Sequence, residues 1–297
     1  MLRGFWPSLR GGVSAILSIV STPKMLLCDL SLAKRLEYAE GEACASFANA
    51  RNAAFPGSAT PSSAVRMNGT FTVFDGPRSP ITQTFGLGIF EELTAEALGR
   101  IEQFFIANGA AAVAHEVCPL SGVEVARLLC SRGYLPVEIS SVLFRPVATD
   151  GVVPSNIRVR MVEDEHDLWA RVSADAWAEE HPELRDFILE LGTIFAHRPD
   201  LRRFLAEVDG EPAATGVVSL HEGVALLSGA ATLPKFRRRG AQAALLSARL
   251  DYAEAQGCDL AMMVAEAGSG SQRNAERRGF RVAYTRTKWQ LDLPNPE

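Results

Sequence analysis

The stretch KFRRRGAQAALL (235–246) contains four cations, one glycine and then an unbroken run of small and apolar residues. An apolar segment and Pro234 precede it, and Leu246, Leu250 and Ala253 give the residues that follow an apolar helical face. The order therefore predicts a strand, a basic loop and a long helix. The whole chain has 297 residues and a formal net charge of -5, so this positive charge is a local feature.

The predicted start of this helix is suited to binding an anion. The first backbone N–H groups of a helix have no intrahelical acceptor, and the positive end of the helix dipole lies beside them. Gly240 lets a phosphate approach the backbone closely, and the four cations from Lys235 to Arg239 add charge-assisted hydrogen bonds. The stretch contains neither GxxxxGK[ST] nor GxGxxG. A diphosphate with a further ribose phosphate fits such a loop, although a solvated arginine-rich turn has the same pattern.

Composition limits the function classes. The chain is 47% hydrophobic and 22% charged, which is typical of a globular protein with room for two domains. Its pI of about 5.7 argues against a general nucleic-acid binder. No apolar run reaches the ~20 residues that span a membrane. The five cysteines show no metal-binding spacing, so we expect reduced thiols in a cytoplasmic protein without a metal site.

The first 24 residues differ from the rest of the chain. They have a basic start and one short apolar stretch, VSAILSIV (13–20), which loosely suggests a signal peptide. The apolar stretch is at the short limit for a signal, and Met25 follows it directly upstream of an amphipathic segment. We therefore interpret residues 1–24 as an unstructured or mis-assigned start.

The same order of elements occurs twice. Residues 100–147 and 245–293 both read as helix, glycine stop, strand, helix, glycine stop and aromatic-led strand. This repetition predicts two similar domains in tandem, at 25–148 and 157–297, joined by a linker rich in proline and glycine at 149–156. The glycines that match as left-handed helix caps are Gly109, Gly133, Gly257 and Gly279.

Residues 157–292 resemble the GNAT superfamily of N-acetyltransferases. The family signature for acyl-CoA is [Q/R]-x-x-G-x-[G/A], which Arg237 and Gly240 fit, whereas Gln242 stands where glycine or alanine is usual. The later strand, helix and "GF" strand also agree in order with the family. The resemblance implies an α+β fold with two tandem GNAT-like domains, each a mixed, mostly antiparallel sheet flanked by helices.

By this resemblance the co-substrate is acetyl-CoA, and the residues that bind it fall into three groups. The first group pairs through its backbone with the pantetheine arm, the second holds the diphosphate, and the third lies near the thiol end. In chain order the groups are Ala230, Ala231 and Thr232; then Arg237, Arg238, Arg239, Gly240, Ala241, Gln242 and Ala243; then Ser271 and Asn274.

The first domain departs from this pattern at the corresponding loop. Gly86 and Gly88 are present there, but Glu91 and Glu92 replace the arginines. Because carboxylates at that point would repel a diphosphate, we expect a degenerate domain that has lost CoA binding and shapes the cleft or the domain interface.

Acetyl transfer to an amine needs a base for the ammonium proton and a donor for the departing thiolate. Glu266 ends the predicted strand LAMMVAE (260–266) and is the predicted base. The family places a tyrosine as the donor where this chain has Ala275, so Tyr284 is the nearest phenol and the predicted second catalytic residue. Asn274 or Ser271 is an alternative donor.

The sequence thus predicts an acetyl-CoA-dependent N-acetyltransferase acting on a small-molecule or peptide amine, as a monomer or homodimer without nucleic-acid or membrane partners. An acetyl-CoA-binding sensor or scaffold with little catalysis is the alternative, and the missing tyrosine favours it. A third possibility is that the basic loop binds another phosphate, such as a nucleotide. The sequence does not identify the acceptor.

Overall fold

The computed structural model describes residues 27–148, 156–179 and 181–294. The predicted start at 1–24 and all of the predicted linker except Asn156 lie outside these residues. In the N-terminal half the elements are α1 (Leu30–Ala54), β1 (Ser63–Met67), β2 (Thr70–Phe74), β3 (Gln83–Phe85), α2 (Ala95–Ala107), β4 (Ala112–Val117), α3 (Val123–Ser131) and β5 (Leu135–Pro146).

The C-terminal half repeats this order with an extra strand and a divided first helix. Its elements are β6 (Ile157–Val162), α4 (His166–Trp177), α5 (Arg185–Ala196), β7 (Leu201–Val208), β8 (Glu211–His221), β9 (Val224–Thr232), α6 (Ala241–Ala255), β10 (Leu260–Glu266), α7 (Gly270–Glu276) and β11 (Arg281–Asp292). The four glycines predicted to end helices in the two halves all have positive φ, from 75° to 87°.

The strands of both halves form one sheet in the order β1-β2-β3-β4-β11-β5-β10-β9-β8-β7-β6. Among the described strands the β3–β4 and β9–β10 pairs are parallel and the others antiparallel. The last strand of each half is exchanged, because β5 pairs with β10 and β11 pairs with β4. The predicted mixed, mostly antiparallel α+β fold is confirmed, and the exchange joins its two sheets into one.

Helices cover the two faces of the sheet in separate layers. Val142 and Leu226 pack with α1, whereas their strand neighbours Leu143 and Leu227 pack with α6, as the alternation of a strand requires. Helices α4 and α5 extend the layer of α1 over the C-terminal strands. Helices α2 and α3 cover the other face of the N-terminal strands.

Helix α1 connects the two halves. Its N-cap is Asp29, whose side chain accepts a hydrogen bond from the Leu32 amide, and its alanine-rich sequence lets neighbouring elements approach on several sides. It contacts β1, β2 and β3 of its own half and β8, β9 and α5 of the other. The contacts to the C-terminal half include Arg35 with Asp259 (2.9 Å), Ser46 with Asp200 (2.6 Å) and Arg51 with Glu190 (2.8 Å).

The predicted starts of α4 and α5 were wrong. The sequence suggested Asp164 as the N-cap of α4, but the helix begins at His166 with Glu165 in the cap position and no side-chain cap. The helix expected from about residue 182 begins at Arg185, after a 3₁₀ turn at Pro182–Leu184. Proline favours the first position of such a turn because it lacks the N–H that would be unpaired there.

Candidate functional site

A cleft opens in the sheet between β9 and β10. The two strands pair only where Leu260–Met262 run beside Val224–Leu226. Beyond that point β9 continues to Thr232 along β8, and β10 continues to Glu266 along β5. The facing backbone edges of the two strands are therefore unpaired with each other, and the predicted residues from Ala230 to Thr232 lie on the β9 edge.

The basic loop leads from this edge to the start of α6. A 3₁₀ turn at Pro234–Phe236 is followed by Arg238 with φ 62° and by Gly240 with φ 92°, both left-handed. None of the backbone amides from Arg238 to Ala243 has an acceptor within the described part of the chain. Consecutive N–H groups without an acceptor at a helix start are suited to binding an anion.

The side chains of the four cations are placed differently from one another. Arg238 is exposed and has no ion pair to a described residue, whereas the other three form exposed ion pairs within the protein. Such pairs contribute at most about 1 kcal/mol, so these side chains can turn toward a phosphate at small cost. The three pairs are Lys235 with Glu211 (2.6 Å), Arg237 with Glu179 (2.9 Å) and Arg239 with Asp209.

Hydrogen bonds connect the loop, the helix start and the strand edge. The Gln242 side chain donates from Nε2 to Thr232 Oγ1 at 2.9 Å, and Arg237 donates from Nε to the Thr232 carbonyl at 3.4 Å. The structure therefore brings together the predicted strand and diphosphate residues. Gln242, which departs from the family signature, has a partner that holds its side chain against β9.

Helix α7 lies beyond the end of β10. Ser269 caps it by accepting a hydrogen bond from the Gln272 amide at 3.2 Å. Gln272 Oε1 in turn accepts hydrogen bonds from the Gly268 amide (2.8 Å) and from Ser141 Oγ (3.2 Å), which attaches the helix to the exchanged strand β5.

Helix α7 carries the two residues predicted near the thiol end and the alanine at the position of the family tyrosine. Ser271 and Asn274 are exposed. Ala275 is only 3% exposed and packs in the core with Phe280. A methyl group inside the core therefore occupies the position where the resemblance implies a phenol.

The two predicted catalytic residues lie apart. Glu266 is exposed at the end of β10 and has no side-chain partner among the described residues. Tyr284 is 6% exposed and donates a hydrogen bond from its phenol to Glu37 Oε1 at 2.7 Å. In the sheet Tyr284 aligns with Val142 of β5, which aligns with Val264 of β10, so the phenol is two strands from β10.

A buried charged cluster surrounds Tyr284, and the sequence did not predict it. Arg286 donates to both carboxylate oxygens of Glu40 at 2.6 and 2.8 Å and lies 3.0 Å from Glu116 Oε2. Burial raises the pKa of Glu37 to about 7, although Arg286 acts in the opposite direction. The sequence signal was the pair of glutamates at 37 and 40 on the otherwise small and apolar inner side of α1.

The described residues contain neither a membrane-spanning helix nor a candidate metal site. No helix among them is long and apolar enough to span a bilayer. They also contain no group of three or more histidine, cysteine, aspartate or glutamate side chains that could hold a metal ion.

Comparisons with known proteins agree with this geometry. The profile of the Acetyltransferase (GNAT) family matches residues 161–280. None of the curated proteins matches the sequence. A GCN5-related N-acetyltransferase from Kribbella flavida is similar in structure, with a TM-score of 0.62 and 18% identity over 89% of this chain and 96% of that one.

A second similar structure is a tandem GNAT protein from the clavulanic acid biosynthesis pathway. Its TM-score is 0.57 at 13% identity, over 92% of this chain and 98% of that one. Identities this low show the fold alone. Residues 161–280 thus form a GNAT acetyltransferase domain, and the whole chain has a fold shared with a tandem GNAT protein.

Proposed function

We propose that the chain is an acetyl-CoA-dependent N-acetyltransferase that acylates a primary amine, a small molecule or a peptide, in its C-terminal half. The observation that carries the proposal is the row of six amides from Arg238 to Ala243 that have no acceptor among the described residues and follow directly on the open edge of β9. A family match alone gives the reaction class, whereas this arrangement fits the shape and charge of a CoA diphosphate.

The residues present fit acetyl-CoA in three places. The edge of Ala230–Thr232 that faces away from β8 would pair with the amides of the pantetheine arm as an added strand does. The amides and side chains of 237–243 would hold the diphosphate, with Arg238 as the cation that no carboxylate of the described chain engages. Ser271 and Asn274, exposed on α7, would lie toward the thiol end.

Acetyl-CoA supplies the activated acyl group, and the protein must move one proton from the ammonium form of the acceptor. We assign Glu266 as the base, because its carboxylate is exposed at the end of β10 without a partner in the described chain. The neutral amine then attacks the thioester carbonyl, a C–N bond forms, the C–S bond breaks, and the thiolate leaves.

The thiolate needs a hydrogen-bond donor, and here the structure favours the alternative over the phenol. The Tyr284 hydroxyl is engaged by Glu37 and lies two strands from β10, so reaching the cleft would leave a buried carboxyl without its partner. We therefore propose Ser271 or Asn274 as the donor and give Tyr284 a structural role.

For the N-terminal half we propose that no CoA binds. The loop that corresponds to the basic loop is packed into the core, with Leu87 and Ile89 buried. The Gly86 amide donates to Glu37 at 3.1 Å, and a Cβ at Gly86 would lie 2.3 Å from the Phe90 ring. The protein's own side chains therefore fill the place where a diphosphate would approach.

The alternative is a protein that binds acetyl-CoA and senses it with little turnover. The alanine at position 275 supports it, because this buried residue has no phenol that could donate to the thiolate. The two functions share the cofactor site and differ only in whether an amine is acylated.

Two experiments test the proposal. Calorimetry with acetyl-CoA, CoA and ATP as separate ligands should show binding of the first two with ATP at least tenfold weaker, and equal binding of ATP would contradict it. Thiol release is then followed across a panel of amines that includes polyamines, amino acids, aminoglycosides and peptides. Turnover with one class supports the transferase, whereas tight acetyl-CoA binding without turnover favours the sensor.

A further inference from the structure

Arg249 of α6 is a buried cation that has no carboxylate partner in the described part of the chain. Its side chain is in the core at 3% exposure, and no described carboxylate lies within 4 Å of it. Its guanidinium donates only to backbone carbonyls, from Nε to Leu245 (3.1 Å) and from Nη1 to Val217 (3.1 Å) and Ser228 (3.4 Å). Burial lowers its pKa to about 10. A lone buried charge is costly, so an apolar residue would be the ordinary choice at this position.

The two strand carbonyls belong to an irregularity between β8 and β9. Val217 faces Ser228, and Thr215 faces Ala231, so one residue of β8 stands opposite two residues of β9. This is a β-bulge, with Gly216 on one side and residues 229–230 on the other. Arg249 thus bonds to the pair of residues at which the bulge begins.

The residue opposite the bulge accommodates the guanidinium. A Cβ placed on Gly216 would lie 3.1 Å from both Cζ and Nη1 of Arg249. Such a distance is tighter than ordinary contact, so a Cβ there would push the guanidinium by a few tenths of an ångström and strain its three hydrogen bonds. The glycine in β8 and the arginine in α6 therefore form one structural unit, although they are 33 positions apart in the chain.

The bulge coincides with the opening of the cleft. β9 pairs with β10 as far as Leu226, and the bulge begins at Ser228, two residues later. A bulge bends its strand and increases the local twist, which turns the rest of β9 away from β10. Ser228 and Gly229 are exposed at this bend. The direction of the free backbone groups of Ala230–Thr232 depends on it.

We propose that Arg249 is a positioning residue for the acetyl-CoA edge: it holds the carbonyls of Val217 and Ser228 and so fixes the bulge that aims the free edge of β9 at the pantetheine arm. This inference rests on the proposed function. It also gives a reason for a charge at this position, because an apolar side chain of equal length could pack there but could not hold two strand carbonyls.

The test measures acetyl-CoA affinity by calorimetry and amide hydrogen exchange of residues 224–232 in the ligand-free protein. We expect Arg249→Met to raise the Kd about tenfold or more, which equals a loss of ~1.4 kcal/mol, and to speed exchange at the bulge. Arg249→Lys keeps the charge and one donor, so its Kd and its exchange rate should lie between those of wild type and those of Arg249→Met. Gly216→Ala, which displaces the guanidinium, should act in the same direction as Arg249→Met. Leu250→Met, a volume-conserving change at the next residue of α6, should alter neither readout.

The outcomes separate the two proposals. Wild-type protein that does not bind acetyl-CoA overturns the proposed function. Wild-type binding with an unchanged Kd and unchanged exchange in Arg249→Met overturns the role of Arg249 and leaves the proposed function standing. If Arg249→Met does not fold, the Kd and the amide exchange are measured in Arg249→Lys and Gly216→Ala instead. Wild-type values of both quantities in these two variants overturn the inference.

Discussion

Tyr284 donates a hydrogen bond to Glu37 at 2.7 Å across 247 positions of sequence. The phenol belongs to the last strand of the chain and the carboxyl to its first described helix, so the contact joins the two halves. The second oxygen of Glu37 accepts a hydrogen bond from the Gly86 amide at 3.1 Å. One buried carboxyl therefore holds together the strand exchange and the closed loop of the N-terminal half.

The first prediction concerns the pH dependence that Glu37 gives to stability. Burial raises its pKa to about 7 in the folded protein, above the ordinary value of 4.5. The folded state thus binds this proton more tightly than the unfolded chain does. Its stabilising effect is complete below about pH 4.5 and is lost as the pH rises through 7, by up to roughly 3 kcal/mol. Glu37→Gln should therefore be more stable than wild type at pH 8 and about equally stable at pH 5.

Urea unfolding at both pH values measures this difference. Glu96→Gln is the control, because Glu96 is exposed and pairs with Arg100 on the surface of α2, so its variant should follow wild type at both pH values. A difference between Glu37→Gln and wild type that is the same at pH 5 and pH 8 would show that the carboxyl does not titrate in this range.

The basic loop could be predicted from sequence because its determinants are local. Gly240, the cations before it and the helix after it follow one another, and helix-start chemistry depends only on that order. The repeated glycine stops were equally local and gave the tandem organisation. The strand exchange was not predictable, because β5 and β11 each carry a pattern that fits either neighbour. Arg249 and Glu37 were missed for the same reason, since their partners Val217, Ser228 and Tyr284 are distant in sequence.

The second prediction tests Gly240 at the start of α6. Its φ of 92° is left-handed, and a β-branched residue there costs one to several kcal/mol and blocks close approach of a phosphate. Gly240→Val should therefore lose acetyl-CoA binding in calorimetry while keeping the circular dichroism of the fold. Gly257→Val is the matched control, since Gly257 is left-handed at φ 78° beyond the other end of the same helix. Equal loss of binding in both variants would assign the effect to stability rather than to the site.

The third prediction separates affinity from stability at Arg238. This residue has φ 62°, a conformation that costs a residue with a side chain about 1 kcal/mol relative to glycine. Arg238→Gly should raise the free energy of unfolding by about that amount and weaken acetyl-CoA binding roughly tenfold. Arg239→Gly, which removes a cation paired with Asp209, should weaken binding less. Affinity of Arg238→Gly equal to that of wild type would exclude Arg238 from the diphosphate site.

The fourth prediction is a stoichiometry of one acetyl-CoA per chain. The Gly86 amide is occupied by Glu37, and Leu87 and Ile89 are buried, so the N-terminal half offers no free loop. The double variant Glu91→Ala and Glu92→Ala should keep a stoichiometry of one, because removing the two carboxylates leaves the loop packed. A second binding event in either protein would show that the N-terminal half retains a cofactor site.

The fifth prediction tests whether proton transfer during catalysis depends on the Glu266 carboxylate or on the Tyr284 phenol. Glu266→Gln keeps the shape of an exposed side chain and removes the base, so kcat should fall by about 10²-fold or more while the Kd for acetyl-CoA changes less than twofold. Tyr284→Phe leaves the buried Oε1 of Glu37 without its phenol donor, so it should lower the free energy of unfolding by about 1–3 kcal/mol and keep kcat within a few-fold. Glu254→Gln, an exposed change on α6, should alter neither quantity.

The reverse pattern, with kcat lost in Tyr284→Phe and kept in Glu266→Gln, would assign proton transfer to the phenol and would require the contact with Glu37 to break during turnover.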